Sequence, residues 1–126
     1  MICYELDECL EVYFVMEGKY NVGYQINNTK FWRRQFGHST CIGGFQMSFM
    51  KKYMFHHKAR TMLKCYAIRR KNWMSIMEDF PKFNNALKVT FFNNYLRQVY
   101  WPVLKFKNID IAKFNRRSDY EQVVVL

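Results

Sequence analysis

The sequence predicts an α+β fold in which an antiparallel β-roll, jelly-roll-like, is followed by two C-terminal helices. Two observations carry this. Short segments rich in β-branched and aromatic residues fill the chain up to Ile68, and beyond Ile68 the apolar spacing changes to one of three and four residues. Strands followed by helices, rather than alternating with them, place the helices against one end of an antiparallel sheet structure. At 126 residues, half of them apolar, the chain has the size and composition of one packed domain.

The first strand is "LEVYFVM", Leu10 to Met16, apolar on both faces. After Glu17-Gly18-Lys19 comes "YNVGYQI", in which Tyr20, Val22, Tyr24 and Ile26 alternate with polar residues and glycine. The pair reads as a hairpin with the first strand inside and the second nearer an edge. Asn27-Asn28-Thr29 supplies turn chemistry, "KFWRRQF" forms a third strand, and "TCI" is a short apolar piece between turn residues. "MFHHKARTML" and "KCYAI" read as two further short strands. Trp73, Ile76, Met77 and Phe80 then mark one face of a helix that Pro81 stops or redirects. Phe83, Leu87, Phe91, Tyr95 and Val99 form the stripe of a second helix, which Trp101-Pro102 ends. The remaining "VLKFKNIDIAKFNRRSDYEQVVVL" alternates weakly and suggests no element.

Composition limits the function. There are 20 basic and 10 acidic residues, and 18 of the basic ones lie from Phe31 onward. Such a field attracts nucleic acid, anionic lipid or a phosphorylated ligand without choosing among them. No apolar run is long enough for a membrane span, and the acidic start "MICYELDECLE" is not a secretory signal, so a reducing cytoplasmic setting is expected. Cys3, Cys9, Cys41 and Cys65 lack metal-ligand spacing and are expected as free thiols. His38, His56 and His57 have no accompanying carboxylate cluster, and adjacent histidines in a strand point to opposite faces, so no metal site is expected. No serine sits in a nucleophile elbow, and the sequence is not that of an enzyme.

"IGGFQMSFMKKY", from Ile42 to Tyr53, opens like an anion-binding loop: paired glycines before a helical run, whose N–H groups would cradle an anion. In order along residues 8–100, four segments together resemble the cyclic nucleotide-binding domain of the β-roll type: "EVYFVMEGKYNVGY", "FGHSTCIGGFQM", "KCYAIRRKNWMSIMEDFP" and the amphipathic stretch Lys82 to Tyr100. The resemblance implies that this region is a binding roll with a terminal lid helix bearing Phe83, Leu87, Phe91 and Tyr95, lacking the family's first helix and strand. Residues 101–126 would be a tail, similar to the region that follows this domain in ciliate channel families.

The resemblance also implies a phosphate cassette at Ile42, Gly43, Gly44, Phe45, Gln46, Lys52, Tyr53 and Met54. There the family has a Gly-Glu pair that holds the ribose hydroxyl and, nine positions on, an arginine that holds the cyclic phosphate. Aligned without gaps, this chain has Gly44 at the Glu position and Tyr53 at the Arg position. A hydrogen bond to a charged group contributes about 1.5–3 kcal/mol, so losing both weakens binding by roughly two to four decades. That leaves no cofactor and at most weak cAMP or cGMP binding, with Lys51 or Lys52 as point charges nearby. Phe45 and Tyr53 are expected to fill the vacated volume.

The implied function is that of a regulatory, non-catalytic domain of a potassium-type cation channel. Its partners would be the channel's transmembrane region, neighbouring subunits of a homo-tetramer and the anionic inner face of the membrane. The alternative is a basic nucleic-acid-binding protein, suggested by "KFWRRQF" and "FKN…KFNRR". The absence of an RNA-recognition signature and of a helix-turn-helix pattern after Tyr100 weighs against it.

Overall fold

The computed structural model describes the backbone of residues 1–125 and the side chains of residues 1–114. Six strands come first: β1 (Glu11–Glu17), β2 (Tyr20–Ile26), β3 (Thr29–Phe36), β4 (Cys41–Ile42), β5 (His56–Ala59) and β6 (Lys64–Arg69), with a short helix α1 (Gly44–Phe49) between β4 and β5. The helices α2 (Arg70–Asp79) and α3 (Pro81–Tyr95), a π-helical turn Leu96–Tyr100 and α4 (Trp101–Val125) complete the chain.

The strands form two antiparallel three-stranded sheets, ordered β4-β1-β6 and β3-β2-β5. The predicted roll is therefore present, but β1 and β2 are not a hairpin. Each is the central strand of its own sheet. The link Gly18-Lys19 has hairpin length, yet its backbone is tied to the next loop: Arg60 and Thr61 donate to the Lys19 carbonyl, and the Lys19 N–H donates to Thr61 Oγ1 at 2.9 Å. Alternation reports which face of a strand is buried and not which strand it pairs with. The expectation that β2 lies nearer an edge fails for the same reason. The true hairpin is β2-β3, turned by Asn27 and Asn28, both at positive φ, a backbone that asparagine tolerates better than most side chains.

Val12 and Val15 from one sheet and Tyr20, Val22 and Tyr24 from the other join one core with Met47, Tyr53, Phe55 and Trp73. Helix α2 buries Trp73 and Met77 but leaves Ile76 and Phe80 exposed, so half of its predicted stripe faces solvent. Pro81 redirects the chain as expected, starting α3 at its first position, where a missing N–H costs nothing.

Trp101-Pro102 does not end the helical run. The five residues before Trp101 widen into a π turn and the chain continues as α4. Proline lacks a donor and clashes with the carbonyl four residues back; local widening absorbs both, and the proline sits in the first turn of the next helix. The tail, for which the sequence suggests no element, is helix through Val125, with Val103 fully buried and Asp110 nearly so. Its last residue, Leu126, lies outside the described residues.

Candidate functional site

Strand β4 is only two residues long, and it delivers the chain from its pairing with Tyr13 and Phe14 into the glycine pair. Gly43 has φ 90, a conformation that a side chain strains to adopt. A Cβ on it would also lie 2.6 Å from Tyr53 Oη and 2.9 Å from both Cys9 Sγ and the Glu11 carbonyl. Gly43 is thus a turn pressed onto Tyr53. Gly44 serves differently: a Cβ there would lie 2.7–2.9 Å from three ring carbons of Phe91 on α3. The second glycine is the seat of α3.

Around that seat Phe45 stacks on Tyr95, with centroids 4.3 Å apart and planes 6° from parallel, and also touches Phe49 and Phe92. Trp73 stands between Phe14 of β1 and Phe91, at 6.4 and 6.1 Å. Of the predicted lid residues, Leu87, Phe91 and Tyr95 face the roll or the cassette. Phe83 is exposed and contributes nothing to the contact.

Beneath the lid lies a cavity of about 470 Å³. Ile42, Gly43, Gly44, Phe45 and Gln46 line it, as predicted for the cassette, whereas Lys52, Tyr53 and Met54 do not. Lys52 and Met54 are exposed. Tyr53 is buried on the far side of Gly43 with its hydroxyl 3.6 Å from Cys9 Sγ, and Phe45 lies in the wall against α3. Neither fills the cavity, so the expectation of a self-plugged pocket is corrected. Helix α1 has only six residues, and among the described lining residues none is Lys, Arg, Asp or Glu.

The rest of the wall comes from distant strands, which sequence reasoning missed: Phe14 and Val15 of β1, Tyr20 and Val22 of β2, Phe36 of β3, His57 of β5. Every titratable group on it is pushed toward its neutral form by burial. Burial lowers His57 to about 4, only partly opposed by the Phe55 carbonyl, while it raises Cys41 and Tyr20 to about 12. Tyr95 is raised above its usual range, by burial first and by Tyr100 second. Its hydroxyl is buried with no hydrogen-bond partner; Gln46 is close enough to counter the shift but is not placed to bond it. An unsatisfied buried hydroxyl costs about 1–3 kcal/mol.

A second cluster, also missed, fixes α4. The Asp110 carboxylate accepts from Arg33 Nε at 2.9 Å, from Arg33 NH2 at 2.6 Å and from the Tyr24 hydroxyl. Arg33 also lies over the rings of Phe31 and Phe106. Burial would raise Asp110, but the bonds from Tyr24 and Arg33, with the charges of Arg33 and Lys113, outweigh it and hold the carboxyl below its usual range. The signal was available in the sequence: Asp110 is the single acidic residue between Asp79 and Asp119.

The aromatic-basic strand "KFWRRQF" is accounted for here as well. Phe31 stacks on Tyr24 and Arg33 is spent on Asp110, which gives no support to the nucleic-acid alternative. His56 and His57 are both buried and point apart, His56 toward Tyr4 and Trp32, His57 toward Tyr20 and Tyr53. The four cysteines are free thiols. Among the described residues there is no group of three or more metal-ligating side chains, and no helix is long and apolar enough to cross a membrane.

No family model matches this chain, and no curated protein matches it. Solved structures do. The chain is similar to the catabolite activator protein of Thermus thermophilus, with TM-score 0.63 and 15% identity over 90% of this chain and 50% of that one. It is similar to a cyclic nucleotide-binding domain from Methylobacillus flagellatus, with TM-score 0.60 and 18% identity over 76% and 59%. It is also similar to the regulatory domain of Toxoplasma gondii PKA, solved with cAMP, with TM-score 0.55 and 15% identity over 62% and 30%. The chain spans less than two thirds of each of these solved chains. These likenesses, with the double three-stranded roll and the trailing helices, define the fold: it is that of cyclic nucleotide-binding domains.

Proposed function

We propose that this chain is a regulatory domain whose lid helix is held by packing instead of by a cyclic nucleotide, and that it serves a tetrameric potassium-type cation channel. One observation carries the first part. Phe91 of α3 sits against Gly44, the position at which the resemblance places the ribose-binding glutamate. A side chain there would press on the Phe91 ring, so the same substitution that removes a ligand contact makes room for the lid's seat. A ligand shifts a two-state lid only by its differential affinity for the two positions. With no cation among the described residues of the cavity wall, a cyclic phosphate has little differential affinity to offer.

The channel setting is supported by the likeness of the residues from Val99 onward to channel tails, and the charge of +10 suits an anionic membrane surface. Its partners in that setting are the membrane-spanning region, the neighbouring subunits and anionic lipid. Isothermal titration with cAMP and cGMP tests the degenerate site: no saturation is expected below roughly 1 mM, and micromolar binding would overturn it. Six apolar spans and a pore loop encoded upstream of Met1 are expected of the channel setting, and a transcript without them sinks it.

A further inference from the structure

Resting on the reading that the phosphate cassette is degenerate, we propose that the cavity under α3 binds an uncharged, largely aromatic small molecule with one polar end that meets the amides of Asn94 and Gln98 at the cavity wall.

Size comes first. A void of about 470 Å³ is far larger than the packing gaps of a protein interior and falls in the range of small-molecule pockets. The walls decide the chemistry. Six aromatic rings line the cavity, those of Phe14, Tyr20, Phe36, Phe45, Phe91 and Tyr95, so flat apolar faces dominate. An anion is disfavoured because no Lys or Arg is among the described lining residues, and ionised groups need a partner when they leave water. A cation is disfavoured twice: no carboxylate is among the described lining residues, and the molecule carries a charge of +10. Neutrality of the wall itself agrees, since burial holds His57, Cys41 and Tyr20 uncharged near pH 7.

Polar anchoring is located. Gln46 and the exposed Asn94 and Gln98 bring amides to the lining, and Ser39 and Thr40 bring hydroxyls. Tyr20 is not a free anchor, because its hydroxyl is 2.8 Å from Thr40 Oγ1. A planar molecule would slide between the sheets with its one polar end toward α3. Such a ligand stabilises the docked lid, since Phe45, Phe91 and Tyr95 belong to both the lid contact and the cavity wall.

The experiment is fluorescence titration of the full chain with prodan, a neutral naphthalene bearing one ketone acceptor. Saturable blue-shifted emission is expected with a Kd on the order of 10 µM. Asn94→Trp, a change at an exposed position at the cavity wall, is expected to weaken binding at least tenfold, and Gln98→Ala by roughly two- to tenfold. Met62→Ser, which alters the exposed apolar surface elsewhere, is expected to leave binding unchanged. Far-UV circular dichroism and Tm check that each variant is folded. Absence of a saturable signal up to about 100 µM overturns the proposal, and so does binding indifferent to both Asn94→Trp and Gln98→Ala, which would place the dye on the outer surface. The two readings fail separately: cAMP that displaces prodan at micromolar concentration defeats the degenerate cassette, whereas silence from both ligands defeats only the neutral-ligand site.

Discussion

The helical half of this protein grips the roll in two places, and the two grips are built from opposite chemistry. At the cassette, α3 is seated by apolar contacts: Phe91 on Gly44, Tyr95 on Phe45, with Trp73 behind. On β2 and β3, α4 is pinned by a covered carboxylate with Arg33 and Tyr24 around it. Ring contacts are short-ranged and only loosely directional, so a helix can shift across them gradually. A carboxylate bonded to a guanidinium has one geometry, and a partner left behind is costly. The contrast teaches where motion belongs: α3 is the part suited to moving, and α4 is the part suited to fixing the register of whatever follows it.

Breaking the apolar grip is expected to have the largest effect. Trp73 is 2% exposed and touches both β1 and α3. Trp73→Ala should therefore cost about 3–5 kcal/mol in chemical denaturation; a loss near zero would mean that the plate behind Phe91 does not hold the lid.

Next comes pH, which separates the two sides. His57 is lowered in the folded state to about 4 by burial, with the His56 charge adding to it and the Phe55 carbonyl opposing. Its neutral form favours folding, so its stabilisation is complete above the ordinary histidine value near 6.5 and is lost as pH falls toward 4. The loss is about 3 kcal/mol in all. His57→Asn should remove most of that slope, leaving the smaller contribution of His56, which burial also lowers. Asp110 acts in another window. Its carboxyl is held low, so its contribution persists above the ordinary carboxylate value near 4 and disappears only as pH falls below it. Hydrogen exchange at two pH values would tell them apart, and loss of α4 protection at pH 5 would contradict the assignment.

Asp110→Asn directly weakens the second grip. The carboxylate is covered, but the Arg33 side chain is a third exposed, so solvent screens part of the pair. A cost of about 1.5–3 kcal/mol is expected, with exchange rising in α4 while α3 stays protected. The smallest change is Gly44→Ala. Its methyl would press on the Phe91 ring, costing about 1–2 kcal/mol and loosening α3. Equal loosening of α3 and α4 by either variant would show that the grips are a single cooperative unit.

Much of the fold was legible. Every strand segment has its counterpart, because alternation and β-branched content survive in short stretches such as "YNVGYQI". The Asn27-Asn28 turn was legible for a local reason, the tolerance of asparagine for positive φ. The path of the glycine-pair loop was legible as well. Ile42 to Gln46 line the cavity because the glycine pair fixes their path. Lys52, Tyr53 and Met54 were misplaced, because the backbone reverses after α1 and turns Tyr53 behind Gly43.

What the sequence determined by itself was local: the succession of strand segments along the chain, the two punctuation points at Gly43-Gly44 and Pro81, and the basic surplus. What only the tertiary structure decided was pairing across distance. It separated β1 from β2, carried the helix through Pro102, put Phe91 on Gly44 and joined Asp110 to Arg33 across 77 positions. The physical reason is that periodicity and turn chemistry are set by neighbours in the chain. Which buried face meets which is settled by the packing of the whole core, and no short window of sequence contains it.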